Sequence, residues 1–146
     1  MIILHIPKDG NCLFRSLASF FQSPDIDHHL IRKMLVHYIF QNPESFKTDI
    51  LSEGYRSVEE YCQHMSQPRT WGDGTCLQCF TMLFNVNVWL CYAGGANAPN
   101  RDPTLIAAPK DGAPNLALLL TNNHYDRILG KMTRKPFAFC FSHFCF

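Results

Sequence analysis

Cys12 lies in the run Asp9-Gly10-Asn11-Cys12-Leu13-Phe14-Arg15-Ser16-Leu17, where turn-forming residues give way to an apolar helical repeat. Asp-Gly-Asn favours a tight turn, and Asn11 suits a helix N-cap. Leu13, Phe14, Leu17, Phe20 and Phe21 then recur at helical spacing. The pattern predicts Cys12 at the start of a helix, where unpaired backbone N–H groups and the macrodipole favour a thiolate. The same N–H groups can receive an oxyanion. Thiol hydrolysis needs three further parts: an imidazole to take and return the proton, a group to orient it, and donors for the oxyanion. His124 offers the imidazole. Asp126, two positions on, falls on the same side of the chain as His124 if that segment is extended. A cysteine and a distant histidine also occur together in inert proteins, so the reading depends on a fold that joins them.

The elements that must position these residues are legible as periodicities. Residues 1 to 6 read as a short strand delivering the turn at Asp9. Asp27 is placed to cap a helix running to about Gln41, with Leu30, Ile31, Met34, Leu35, Tyr38 and Ile39 as its apolar face. Ser57-Val58-Glu59-Glu60 matches a capping box and opens a short helix through about Met65. Thr75 to Phe84 reads as a further helix with Leu77, Phe80, Leu83 and Phe84 on one side, followed by a strand at 88–92 and a loop at 93–103. Strands at 116–121 and 125–129 flank Asn122-Asn123-His124, short enough for a hairpin turn with His124 at its edge. Phe137, Phe139 and Phe141 alternate as in a strand packed on the core, and Phe144 and Phe146 follow them. The domain organisation is one globular unit over residues 1–146, with 139–146 marked off as an irregular tail.

Composition narrows the function classes. With 47% hydrophobic and 17% charged residues, 146 residues can bury a core of their own. A formal net charge of +1 supplies no long-range field toward nucleic acid or anionic membrane, and Arg32-Lys33 and Arg134-Lys135 are isolated basic pairs. No stretch approaches the roughly 20 apolar residues of a transmembrane span, and the first residues have too short an apolar run for a secretory leader. Seven cysteines at irregular spacing read as free thiols of a reducing, cytoplasmic compartment. Cys76 and Cys79, with Cys62 and His64 nearby in sequence, carry zinc-type ligands, but Cys-x-His is not a finger spacing, so no metal is expected. His28-His29 reads as a solvated helix start.

Taken in order, the Asp9 to Leu17 run, Trp71-Gly72 with Leu77-Gln78, Asn87-Val88, and Asn123-His124-Tyr125-Asp126 resemble the ovarian tumour (OTU) family of cysteine deubiquitinases. The resemblance implies an α/β (α+β) papain-like fold with a small, mostly antiparallel sheet flanked by helices. It implies hydrolysis of the isopeptide bond after the C-terminal glycine of ubiquitin, without a cofactor. Family roles fall on Cys12 as nucleophile, His124 as general base and acid, Asp126 as its orienter, and Asp9 as the carboxylate that shapes the oxyanion loop. Backbone N–H groups of Gly10, Asn11 and Cys12 correspond to the oxyanion hole; Trp71, Asn123 and Tyr125 correspond to substrate-binding positions. The implied partners are ubiquitin and polyubiquitin chains, met by a monomer that binds neither nucleic acid nor membrane. Asp73-Gly74-Thr75-Cys76 departs from the family, which commonly has a second glycine and acidic residues there. The alternatives are a ubiquitin-binding pseudoenzyme and a thiol hydrolase of a ubiquitin-like modifier.

Overall fold

The computed structural model describes residues 2–93 and 102–130. Along the chain these form β1 (Ile2–Leu4), α1 (Cys12–Ser19), α2 (His28–Gln41), α3 (Lys47–Ser52), α4 (Val58–Met65), α5 (Gly74–Phe84), β2 (Asn87–Tyr92), β3 (Thr104–Leu105), β4 (Asn115–Thr121) and β5 (His124–Leu129). The Phe-rich segment from Phe137 onward lies outside the described residues, as does most of the loop expected at 93–103.

Most helices begin where the caps were expected. The Asp27 carboxylate accepts the Leu30 N–H at 2.9 Å to start α2, and Ser57 Oγ accepts the Glu60 N–H at 3.1 Å to start α4. The returning arm of that capping box lands one residue early, with Glu60 Oε2 accepting the Arg56 N–H at 2.7 Å. Asp73 caps α5 through the Cys76 N–H, and Asn85 ends it in the left-handed region at φ 53°. Between α2 and α4 the chain forms a 3-10 turn at Pro43–Ser45 and the short α3. Only Phe46 and Ile50 anchor α3 in the core, too sparse a pattern to announce a helix.

The sheet order is β1-β5-β4-β2-β3. Among the described residues its pairings are antiparallel except β2 with β4, so the sheet is mixed and mostly antiparallel. One face carries Val88, Leu90, Leu116 and Leu118 and shares a single core with residues of all five helices. Phe14, Leu17, Ile31, Leu35 and Phe80 there are wholly buried, each contributing roughly 1.5–3 kcal/mol of burial free energy. The other face collects Cys91, Ala117, Leu119 and Ile128, with Ile3 and Trp89 against them. The fold is α/β.

Two expectations for α2 need correction. Leu30 is exposed rather than on the apolar face, and the inward positions are His28, Ile31, Arg32, Leu35 and Ile39. His28 is therefore no solvated helix start: it is buried, stacked on His29 at 4.0 Å between ring centres, and burial lowers its pKa.

Candidate active site

The β4–β5 hairpin is closed by Asn122 and Asn123, both at positive φ (48° and 63°), the pair of left-handed residues that a two-residue turn between twisted strands requires. That turn makes His124 the first residue of β5, opposite Thr121. His124 and Asp126 then emerge on the same face, with Nε2 3.2 Å from Oδ1 and both side chains mostly buried. Asp126 is itself held: Oδ1 also accepts the Ile6 N–H at 2.7 Å, and Oδ2 lies 3.5 Å from Nδ1 of the exposed His5. A carboxylate can only accept, so a neutral imidazole that bonds it through Nε2 carries its proton there and keeps a lone pair on Nδ1.

Cys12 is the first residue of α1 and is half-buried. The helix is bound to β5 by Ser16, whose Oγ donates to the Tyr125 carbonyl at 3.2 Å, and by Arg127, whose guanidinium donates to the Ser19 carbonyl. Tyr125 and Arg127 thus face α1, while His124 and Asp126 occupy the alternate face of the same strand. Burial pushes the Tyr125 hydroxyl up to about 12.

Asp9 builds the loop before Cys12. Its Oδ1 accepts the Asn11 N–H at 3.0 Å, and Oδ2 accepts Arg15 Nε and Nη2 at 3.0 and 2.6 Å. The Arg15 guanidinium, with the loop amide after it, holds the Asp9 carboxyl well below the usual carboxylate range. Because the Asn11 N–H is committed to Asp9, the loop donors without a protein acceptor among the described residues are those of Gly10 and Cys12.

The Asn11 side chain does not do what its position predicts. It makes no capping hydrogen bond to α1; instead Oδ1 accepts Arg32 Nη2 at 2.8 Å and the Arg69 N–H at 3.0 Å. Gly10, at φ +82°, lies so close to Arg69 that an added Cβ would meet the Arg69 carbonyl oxygen at 2.5 Å. Gly72 fits as tightly on the other side, where a Cβ would meet Leu13 Cδ2 at 2.5 Å. Trp71, one residue earlier, is 63% exposed and so is tethered beside the first turn of α1. Asn123 is exposed on the hairpin turn.

The chain as a whole has counterparts among known proteins. Residues 7–108 match the family model described as OTU-like cysteine protease. The chain belongs to that family. His124 and Asp126 lie beyond the matched stretch, but relatives align across them. Human OTU domain-containing protein 1 is 30% identical over 135 residues, covering 90% of this chain and 27% of that protein. OVARIAN TUMOR DOMAIN-containing deubiquitinating enzyme 7 of Arabidopsis thaliana is 33% identical over 86 residues, covering 59% of this chain and 22% of its own. The solved OTUD1 OTU domain superposes with a TM-score of 0.78 at 25% identity, covering 88% of this chain and 85% of that one. The chain thus spans less than a third of the length of these two curated relatives.

Within this OTU domain the residues that sequence reasoning missed are the supports. Arg15 sits inside the Asp9 to Leu17 run, six positions after Asp9, and could have been suspected as its ion partner. Arg32 gave no such signal, since an arginine on a helix reads as solvated. The Asp73 to Cys76 departure is also structural: Asp73 Oδ1 accepts both the Cys76 N–H and the Tyr61 hydroxyl, and the Cys76 thiol lies 3.3 Å from that hydroxyl. Cys62 and Cys79 donate to the Val36 and Leu35 carbonyls, and His64 Nδ1 bonds the Tyr55 hydroxyl, so these four groups point to separate partners.

Proposed function

We propose that this OTU domain is a deubiquitinase that uses Cys12 as nucleophile and His124, oriented by Asp126, as general base and acid. The observation that carries the reading is the 3.2 Å contact between His124 Nε2 and Asp126 Oδ1, because it leaves Nδ1 as the unengaged nitrogen of an imidazole on the strand that α1 is bonded to. Family membership and the relative named a deubiquitinating enzyme support ubiquitin as the modifier.

In this mechanism Cys12 Sγ attacks the carbonyl carbon of the C-terminal glycine of ubiquitin, and the thiol proton passes to His124 Nδ1. The tetrahedral oxyanion takes the N–H groups of Cys12 and Gly10. Collapse breaks the C–N bond; the lysine amine leaves with the proton from His124, and a thioester remains on Cys12. Water, deprotonated by His124, then releases the ubiquitin carboxylate and restores the thiol. Asp9 acts through the loop rather than on the substrate. Trp71, Asn123 and Tyr125 border the path of the glycine tail. The domain works as a monomer in a reducing, cytoplasmic setting, on ubiquitin and its chains rather than on nucleic acid or membrane.

The test is incubation with ubiquitin bearing a C-terminal electrophile. A covalent adduct that disappears in Cys12→Ala is the expected result. Ubiquitin binding without any adduct would replace this reading with that of a pseudoenzyme, and an adduct only with another modifier would reassign the substrate.

A further inference from the structure

Arg32 is charged, 4% exposed, and lies on the core side of α2. Burying a guanidinium costs several kcal/mol unless its donors are matched, and here burial lowers its pKa. Its contacts are not those of an ion pair. Nη1 donates to the Met65 carbonyl at 2.9 Å at the end of α4, and Nη2 donates to Asn11 Oδ1 at 2.8 Å. The Phe14 ring lies beneath the guanidinium at 3.9 Å from its central carbon, a cation–π contact that returns part of the desolvation. The described salt bridges, one with Arg15 and two with histidine, leave Arg32 without a carboxylate partner.

What this arrangement governs is the Asn11 side chain. Asparagine at an N-cap ordinarily turns its carbonyl oxygen onto the second or third N–H of the helix. In that position its negative end would sit at the positive end of α1, where Cys12 and the oxyanion need the field. Asn11 is instead drawn off by two donors, Arg32 Nη2 and the Arg69 N–H, and α1 begins uncapped.

We propose that Arg32 is a positioning residue that keeps the start of α1 open for an anion by holding the Asn11 amide away from it. The inference rests on Cys12 being the nucleophile. Without Arg32, Asn11 turns to cap α1, and its carbonyl oxygen competes with the thiolate and with the oxyanion for the same donors. The charge of Arg32 is secondary; its hold on Asn11 is the function.

The test reads the rate at which iodoacetamide alkylates Cys12 at fixed pH, followed by peptide mass, a reaction that needs no ubiquitin. Arg32→Met, which retains an apolar stem over Phe14, is expected to slow Cys12 alkylation about threefold or more, the scale of an anion's interaction with a helix end. Adding Asn11→Ala removes the competing carbonyl and is expected to return the rate toward wild type. Loss of charge, or a general loosening of the fold, would leave the double variant as slow as Arg32→Met or different again, and either outcome overturns the proposal. So does an unchanged rate in Arg32→Met. Thermal melting confirms that each variant is folded; if Arg32→Met is not, Arg32→Gln takes its place, since its shorter amide can keep the Met65 carbonyl while releasing Asn11. Wild-type protein that alkylates at Cys12 but forms no ubiquitin adduct refutes the substrate reading and leaves this test standing.

Discussion

Asp126 joins His124 to the amino-terminal segment: one carboxylate oxygen meets His124 Nε2 at 3.2 Å and the Ile6 N–H at 2.7 Å. A single side chain therefore orients the imidazole and pins the chain between β1 and α1. His124→Ala is expected to lower kcat/KM on a ubiquitin C-terminal amide by about 10²–10⁴, the range for loss of a general acid–base. Asp126→Ala is expected to cost less in turnover, because water can partly replace an orienter. It also removes the acceptor of the part-buried Ile6 N–H, at about 1 kcal/mol. Asp126→Asn restores an acceptor for Ile6 and should recover the melting temperature without the full turnover. Equal kinetic losses for His124→Ala and Asp126→Ala would show that Asp126 does more than orient.

The cysteines should separate by reactivity. Burial pushes the thiols of Cys62 and Cys91 up to about 11 and that of Cys79 up to about 12, and raises Cys76 further. Cys12 is half-buried at a helix start, whereas those four are buried. Brief iodoacetamide treatment near pH 8 is expected to modify Cys12 before any of the four, as read by peptide mass spectrometry. First labelling at Cys62 or Cys91 would mean that the fold opens more readily than the core packing implies.

The parts of the site that sequence exposed are those whose chemistry and local pattern coincide. Cys12 follows a turn and precedes a helical repeat; His124 and Asp126 alternate along a strand that a two-residue turn begins. Asn11 misleads because its local preference is sound: an N-cap asparagine caps unless stronger donors reach it, and those come from Arg32 and Arg69, distant in sequence. His28 and Arg32 misled in the same way, since polar residues are expected outside and only tertiary packing puts them inside. The two residues of β3 and the two core anchors of α3 carry too little periodicity to register. Tertiary contacts, not propensity, create those elements.

Asp9 should give the protein an acid-sensitive component. Its carboxyl titrates below the usual 3.8 because Arg15 and the Asn11 N–H bind the charged form. With the folded pKa below the unfolded one, the carboxylate contributes stability above about pH 4, and this is lost as pH falls through the folded value. Asp9→Asn keeps an acceptor for the Asn11 N–H but removes the charge on Arg15. It is expected to melt lower than wild type at pH 7 and to show a flatter fall in Tm between about pH 5 and pH 2. Parallel Tm curves for the two proteins would show that the Asp9–Arg15 pair does not set acid stability.

Gly10 is the most constrained point of the loop, and a comparison with Gly54 isolates why. Both have positive φ, +82° and +97°, so alanine is strained at either, at about 1–3 kcal/mol. At Gly54 an added Cβ meets nothing within 4 Å, so Gly54→Ala is expected to cost only that strain. At Gly10 the methyl would meet the Arg69 carbonyl oxygen at 2.5 Å and its Cα at 2.9 Å. Backbone cannot swing aside as a side-chain tip can, so the Asp9 to Cys12 turn must shift, and with it the Gly10 and Cys12 N–H donors. Gly10→Ala is therefore expected to destabilise by more than Gly54→Ala in urea unfolding, and to reduce kcat by about 10² or more where Gly54→Ala leaves it unchanged, the scale for a lost oxyanion donor. Equal effects of the two substitutions on kcat would remove Gly10 from the oxyanion loop.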